Sequence, residues 1–329
     1  MITDFSPLGT IAFIATPEFR GDQEDALNHF IRGQLYWVCQ RFTVLSTGRT
    51  YDHIRQLLYR SQSRLHRNEI SEGMGDDDRR RGSITRWRET ILSGLKPRWA
   101  GIAGMIEITH ELIEGRVDAV LHFTDWVDVA TKADSMVLRR EANVHGVPIA
   151  SDIQTAISFI KTWQRHCSAG ASPFRKRVQT EDSPLKDLKA TDRVLALIGH
   201  DGKKLELCCF VLEHMENIFD NFDFILTTGH TGHWLRRFVR AAGRGEGDVA
   251  RIRLCQAGPS GGDVQIATAV VRGICKKVIF LQDPFVSHAH EPDIHLIEQS
   301  ILLLDRDPRI SVKVEFATNV QSAEAILGG

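Results

Sequence analysis

The chain has 329 residues, of which 42% are hydrophobic and 25% are charged, a composition typical of a folded globular protein and not of a disordered one. Its 41 Lys and Arg residues against 42 Asp and Glu residues leave a formal net charge of −1, so no overall field favours nucleic acid or an anionic membrane as a partner. No segment approaches the roughly 20 apolar residues of a membrane span, and the first residues lack a signal-peptide pattern. These features predict a cytoplasmic protein.

The first half of the chain alternates short apolar runs with longer amphipathic segments, which predicts an α/β domain over residues 1–164. The apolar runs are GTIAFIAT (9–16), FTVLSTG (42–48), VDAVLHFTD (117–125) and VPIAS (147–151). A charged, aperiodic insertion lies near residues 60–90 and contains GDDDRRRG. Such a composition favours a solvated loop, to which we assign no function.

A polar, proline-containing segment at residues 165–190 reads as a linker to a second domain at 191–329. The second domain has five apolar runs, which are RVLALIG (193–199), FDFILTT (222–228), RIRLC (251–255), KKVIFL (276–281) and ISVKVEFAT (310–318). Buried strands separated by helices predict a doubly wound parallel sheet of five strands. The first domain carries similar segments in the same order, so the chain reads as an internal duplication of one α/β domain.

Ligands of open parallel sheets bind beyond the carboxyl ends of the strands, where loops lead into helix N-termini. In the second domain four such loops carry polar or glycine-rich sequences, GHDGKK (199–204), TTGHTG (227–232), AGPSGGD (257–263) and QDPFVSHAHEPD (282–293). Each loop alone is weak evidence, since Asp263 could simply cap the helix that begins there. The convergence of all four loops indicates a ligand site.

These motifs stand in the order found in the methylglyoxal synthase family, which the second domain resembles along essentially its whole length. The resemblance implies a lyase that converts dihydroxyacetone phosphate to methylglyoxal and inorganic phosphate without a metal or an organic cofactor. It also implies a homo-oligomer, and it makes inorganic phosphate a product or inhibitor that binds at the site. His230 and Ala257 depart from the family pattern, so a related phosphorylated ketose or aldose stays open as the substrate.

The resemblance further implies a role for each site residue. Asp263 would be the general base and His290 the proton shuttle, with Asp283 and Asp293 as supporting carboxylates and His200 at the carbonyl end of the substrate. The substrate and its phosphate would be held by Asp201, Lys204, Thr228, Gly229, His230, Thr231, Gly258, Gly261 and Gly262.

The first domain has lost most of this set. Met105 stands at the place of Asp263, and Thr16, Pro17, Lys132 and Ser135 replace His200, Asp201, His290 and Asp293. We therefore expect this domain to be catalytically inactive. It keeps Asp125 at the place of Asp283, together with threonines and basic residues, namely Thr47, Thr50, Arg20 and Arg49, and this set could hold an anion. A structural partner and an effector-binding regulatory domain both stay open.

Two further functions compete with a lyase. One is a non-catalytic sensor of phosphorylated metabolites built on the same site. The other is a metal-dependent hydrolase, because His288 and His290 form an H-x-H pair close to carboxylates, a set that can bind zinc.

Overall fold

The computed structural model describes residues 6–22, 24–69, 77–124, 132–175, 182–286, 291–306 and 313–328. The chain divides into two compact units, Met1–Gln179 (unit 1) and Thr180–Gly329 (unit 2). Among the described helices, none combines the length and the apolar character needed to cross a bilayer.

Unit 1 contains a five-stranded parallel sheet in the order β3-β2-β1-β4-β5. Its strands are β1 (Thr10–Ala15), β2 (Thr43–Ser46), β3 (Leu95–Pro97), β4 (Ala119–Phe123) and β5 (Ile149–Ala150). Its helices are α1 (Pro17–Asp22), α2 (Glu24–Phe30), a π-helix (Ile31–Leu35), α3 (Tyr36–Cys39), α4 (Gly48–Glu69), α5 (Asp77–Gly94), α6 (Gly101–Ile113), α7 (Ala133–Val144) and α8 (Ile153–Ser168).

Unit 2 repeats this sheet in the order β8-β7-β6-β9-β10, again entirely parallel. Its strands are β6 (Val194–Gly199), β7 (Phe224–Thr227), β8 (Ile252–Leu254), β9 (Cys275–Leu281) and β10 (Glu315–Ala317). Its helices are two short 3₁₀ turns (Asp201–Lys203 and Gly258–Ser260), α9 (Lys204–Glu213), α10 (Met215–Asn221), α11 (Gly229–Ala241), α12 (Glu246–Arg251), α13 (Gly262–Val271), α14 (Glu291–Arg306) and α15 (Val320–Gly328). Two tandem α/β domains with five-stranded parallel sheets, the predicted fold class, are confirmed.

Both faces of each sheet are covered, which explains why the strands read as continuous apolar runs. In unit 1, Phe13 packs edge-on against Phe123 with ring centroids 5.5 Å apart, within the core on one face. Ile14 points to the opposite core together with Met105 and Leu138. Because successive side chains of a strand face opposite ways, a strand buried on both faces needs apolar residues throughout.

The charged insertion near residues 60–90 is helical in its described parts, so the expectation of a solvated loop was wrong. Helix α4 continues through Glu69, and α5 runs from Asp77 to Gly94. Arg, Glu, Gln and Leu are good helix formers, so a high content of charged residues does not by itself oppose helix formation. Ile91, at the end of α5, is fully buried and anchors this helix in the core of unit 1.

Two glycines hold equivalent places in the two units. A Cβ atom added to Gly104 would lie 1.9 Å from the carbonyl oxygen of Trp99, and one added to Gly262 would lie 2.0 Å from that of Gln256. The following residues are Met105 and Asp263, so the structure supports the sequence alignment of these two positions. Each glycine allows a helix to approach the loop that follows the third strand of its unit.

We predict that Gly104→Ala and Gly262→Ala each destabilise the protein by about 1–3 kcal/mol, because the added methyl group collides with backbone atoms that cannot move independently. Gly247→Ala is the control, since a Cβ atom there meets nothing within 4 Å and lies in α12. Urea unfolding should show that the control variant loses no stability relative to the parent protein. Equal midpoints for all three variants would contradict the proposed close contacts.

A second prediction concerns His122, a fully buried histidine on β4. Burial lowers its pKa to about 3, with a smaller contribution from the positive charge of Arg139. The unfolded chain binds the proton below about pH 6.5, so the stability due to neutral His122 is full above that pH and declines toward pH 3. We expect a loss of about 2–3 kcal/mol between pH 7 and pH 4.5 from this residue.

The matched variant is His122→Phe, because Phe280 occupies the corresponding place on β9. Thermal unfolding of both proteins at pH 7 and pH 4.5 measures the effect. The variant should lose clearly less stability than the parent at the lower pH. If both proteins lost the same stability between pH 7 and pH 4.5, His122 would not be the cause of the destabilisation in acid.

Candidate active site

The order of strands in unit 2 locates a crevice at one edge of its sheet. From β6 the chain moves outward to β7 and β8, then returns to the other side of β6 for β9 and β10. The connections after β6 and β9 therefore leave in opposite directions, which opens a crevice at the carboxyl ends of these two strands. His200 directly follows β6, and Asp283 comes two residues after β9.

His200 joins the ends of β6 and β9. Its N–H donates to the carbonyl oxygen of Leu281 at 3.1 Å, and its ring nitrogen Nδ1 accepts a hydrogen bond from the N–H of Asp283 at 2.8 Å. The ring also packs edge-on against Phe280 with a centroid distance of 5.0 Å. Because Nδ1 is an acceptor, the imidazole is neutral and carries its proton on Nε2. The buried histidine is thus fixed as a donor through Nε2.

Asp263 lies in the first turn of α13 and is only 2% exposed. The chain reaches this helix through the 3₁₀ turn at Gly258–Ser260 and through Gly261, whose φ of 102° lies in the left-handed region. Glycine adopts that conformation without a steric penalty, so it permits the sharp entry into α13. The result is a carboxylate held at the positive end of a helix and almost excluded from solvent.

Two further carboxylates flank this edge of the sheet. Asp293 lies in the first turn of α14, which packs directly against α13, and its side chain is fully buried. Asp283 is half-buried, accepts the N–H of Phe285 at 3.1 Å, and would have its Oδ2 2.8 Å from a Cβ atom added to Gly202. The structure thus places Asp263, Asp283 and Asp293 on the connections at the carboxyl ends of the strands.

The threonine-rich loop after β7 is held by its own hydroxyl groups. Thr228 Oγ1 donates to Thr231 Oγ1 at 3.2 Å, and Thr231 Oγ1 donates to the carbonyl oxygen of Gly199 at 3.5 Å. In unit 1, Thr47 and Thr50 make the same contact at 2.9 Å, and Thr50 bonds the backbone of Ala15. This contact attaches a helix N-terminus to the central strand, so it explains the threonines of both units without a ligand.

The first turn of α11 also offers backbone donors. The first N–H groups of any α-helix lack partners within the helix. Those of Gly229 and Gly232 bond the carbonyl oxygens of Gln256 and Thr228 at 2.9 and 2.8 Å. The N–H groups of His230 and Thr231 have no acceptor among the described residues, so they are available to bind an anion. The side chain of His230 is exposed.

Lys204 begins α9 with a side chain that is 13% exposed, and its ammonium group forms an ion pair with Asp201. Asp201 itself is 90% exposed, so this pair lies at the rim of the site and an incoming anion can compete for Lys204.

Gln265 is a positioning residue that the sequence analysis missed, although it lies only two residues after the motif AGPSGGD. Its buried side chain accepts the N–H of Gln256 through Oε1 at 2.8 Å. The carbonyl oxygen of Gln256 in turn accepts the N–H of Gly229 and contacts Gly262. One amide side chain therefore holds together the loops that lead into α11 and α13.

Some predicted residues cannot be placed. His290, His288 and Asp125 lie outside the described residues. Within the part of the chain that is described, no group of three His, Cys, Asp or Glu side chains is arranged to hold a metal ion.

The connection that carries Asp263 has no exact copy in unit 1. Residues 257–261 separate Gln256 from Gly262, whereas only residues 100–103 separate Trp99 from Gly104. Helix α6 starts directly at Gly101 after an extended Ala100, while unit 2 inserts a 3₁₀ turn before α13.

Comparison with known proteins gives an independent result. No protein-family model matches the chain. A methylglyoxal synthase of Thermus thermophilus is 36% identical over 135 residues, which are 41% of this chain and 92% of that protein. An uncharacterized protein of Synechocystis is 35% identical over 133 residues, 40% of this chain, and the matched stretch spans only 26% of that relative.

Among solved structures, a methylglyoxal synthase of Elizabethkingia anophelis is similar over 42% of this chain and 78% of that chain, with 23% identity and a TM-score of 0.34. The sequence match to the Thermus thermophilus protein has about the length of one α/β unit and covers nearly the whole relative. The chain therefore belongs to the methylglyoxal synthase family.

Proposed function

We propose that unit 2 converts dihydroxyacetone phosphate to methylglyoxal and inorganic phosphate. The observation that carries this proposal is the buried carboxylate of Asp263 in the first turn of α13, on the connection that follows the carboxyl end of β8. Unit 1 has Met105 at the equivalent position and folds into the same architecture. Because the fold tolerates the loss of this carboxylate, a purely structural role for Asp263 is disfavoured.

The reaction begins with removal of a proton from the hydroxymethyl carbon beside the ketone. Asp263 takes this proton as general base, and the electron pair of the C–H bond forms an enediolate with the ketone oxygen. The hydroxyl proton of the same carbon then moves to the former ketone oxygen. The aldehyde C=O bond forms as the double bond shifts, and the C–O bond to phosphate breaks with its electrons leaving on inorganic phosphate. The remaining enol takes up a proton at carbon and becomes methylglyoxal, so no electrons or co-reactants are needed.

His200 is suited to polarise the ketone. As a neutral imidazole with its proton on Nε2, it can donate a hydrogen bond to the oxygen that becomes negative in the enediolate. The backbone N–H of Asp283 holds the ring in that state. His290 as proton shuttle between the two oxygens stays a prediction.

The leaving phosphate needs donors that are already in place. We assign this role to the N-terminus of α11, where the N–H groups of His230 and Thr231 combine with the helix dipole. Lys204 adds a positive charge once the anion displaces Asp201. The predicted contacts from Thr228, Gly258, Gly261 and Gly262 belong to the same proposal, as do a cytoplasmic location and a homo-oligomer. Unit 1 is proposed to be inactive.

The central test is turnover of dihydroxyacetone phosphate by the parent protein and by Asp263→Asn. We expect the variant to lose at least about 10²–10⁴-fold in kcat, because asparagine keeps the shape of aspartate but cannot accept the proton. Methylglyoxal and phosphate should appear in equal amounts with the parent.

Asp152→Asn is the matched control for a capping role. Asp152 caps α8 by accepting the N–H of Thr155 at 2.8 Å. This control should retain parental kcat. A parent that binds dihydroxyacetone phosphate without turnover would identify a sensor instead. Activity that disappears with a metal chelator and returns with zinc would identify a metal-dependent enzyme.

A further prediction separates the two nitrogens of His200. In His200→Asn the amide oxygen can replace Nδ1 as acceptor for the Asp283 N–H, but the donor at Nε2 is lost. We expect kcat to fall by about 10²–10³-fold with little change in thermal stability, as for the loss of one preorganised donor. An effect confined to KM, or a loss of activity that parallels unfolding, would refute the assigned role.

A further inference from the structure

Unit 1 contains a groove between α2 and α4 with a volume of about 650 Å³. This volume lies within the range of small-molecule sites in proteins, about 300–1,000 Å³. Of the described residues that line the groove, Leu57 is the one with an apolar side chain. A hydrophilic lining of this kind suits a charged or hydroxyl-rich ligand and does not suit an apolar one.

Basic and acidic side chains meet around His53 in this groove. Arg20 and Arg60 lie close enough to His53 to lower its pKa, after the larger effect of burial, while Glu24 acts in the opposite direction. His53 also hydrogen-bonds Asn28 Oδ1 through Nε2 at 3.0 Å. These side chains converge from α1, α2 and α4.

Two guanidinium groups of the groove are available to an anion. Over the described part of the chain, neither Arg32 nor Arg60 makes an ion pair or a hydrogen bond with the protein. Arg32 lies in the π-helix at Ile31–Leu35, a rare helix form that is often found at functional sites. The planar guanidinium group binds phosphate or carboxylate with two parallel hydrogen bonds.

The remaining lining residues supply groups that bind hydroxyls. Glu24, Asp25, Asn28 and Gln56 bring carboxylate and carboxamide groups into the groove. Their acceptor oxygens suit hydroxyl groups, and the two carboxylates would repel a second anionic group. A ligand with one anionic group and a neutral, hydroxylated body matches this set of lining side chains.

The groove belongs to a segment in which the two units differ. In unit 2 the corresponding helices α9 and α11 pack directly against each other. The connection between the first two strands is longer in unit 1, residues 16–42 against 200–223. This longer connection contains α2 and the π-helix, which form one wall of the groove.

We propose that this groove binds a sugar phosphate, with Arg32 and Arg60 on the phosphate and the carboxylates and carboxamides on the hydroxyl groups. The site lies between two helices of unit 1 and is separate from the proposed active site in unit 2. Unit 1, which we propose to be catalytically inactive, would thus bind a ligand at this groove.

The test is isothermal titration of the full chain with glucose 6-phosphate, glucose and inorganic phosphate. We expect glucose 6-phosphate to bind more tightly than either fragment, because only the whole molecule engages both the arginines and the hydroxyl-binding side chains of the groove. Arg32→Gln and Arg60→Gln should each raise its Kd by about tenfold or more, as expected for loss of a charge-assisted hydrogen bond.

Arg55→Gln is the matched control, because Arg55 is exposed on the same helix α4 but does not line the groove. Its Kd should equal the parental value. A Lys204→Gln variant identifies binding at the proposed active site, since it should leave the groove unaffected. The proposal is overturned if glucose 6-phosphate does not bind, if Arg55→Gln weakens binding as much as the groove variants, if only Lys204→Gln abolishes binding, or if inorganic phosphate binds equally well.

Discussion

In each unit a single backbone carbonyl joins two helix N-termini at the carboxyl edge of the sheet. The oxygen of Gln256 accepts the N–H of Gly229 at the start of α11 and touches Gly262 at the start of α13. In unit 1 the oxygen of Trp99 does the same for Gly48 and Gly104. Two helix N-termini are thereby drawn to one point, which concentrates positive potential at the carboxyl edge of the sheet. The chemistry of a unit then depends on which side chains follow the glycines.

The sequence was sufficient for the sheet and for the duplication, because fully buried parallel strands leave continuous apolar runs such as those around Phe13 and Leu197. It also aligned Met105 with Asp263, a pairing that the steric role of Gly104 and Gly262 supports. The sequence did not allow us to predict features that depend on tertiary contacts. Ile91 is buried in the core and holds α5 in place next to the charged insertion, and nothing in the local pattern reveals that contact.

Other features of the two units could not be predicted from the sequence either. The tautomer of His200 follows from the backbone N–H of Asp283, a residue 83 positions away. The groove of unit 1 depends on a π-helix, for which no residue pattern was available. Thr231 and Thr50, for which we predict a role in binding an anion, each also fasten a helix to the central strand. A threonine at this place is therefore compatible with an active unit and with an inactive one.

The shorter connection before α6 limits what a substitution in unit 1 can achieve. Unit 1 lacks one residue between Trp99 and Gly104 and has no counterpart of the 3₁₀ turn that precedes Asp263. A point mutation can replace Met105, but it cannot supply the missing length of backbone. An aspartate at this position would need an insertion at one defined place as well to reach the geometry of Asp263.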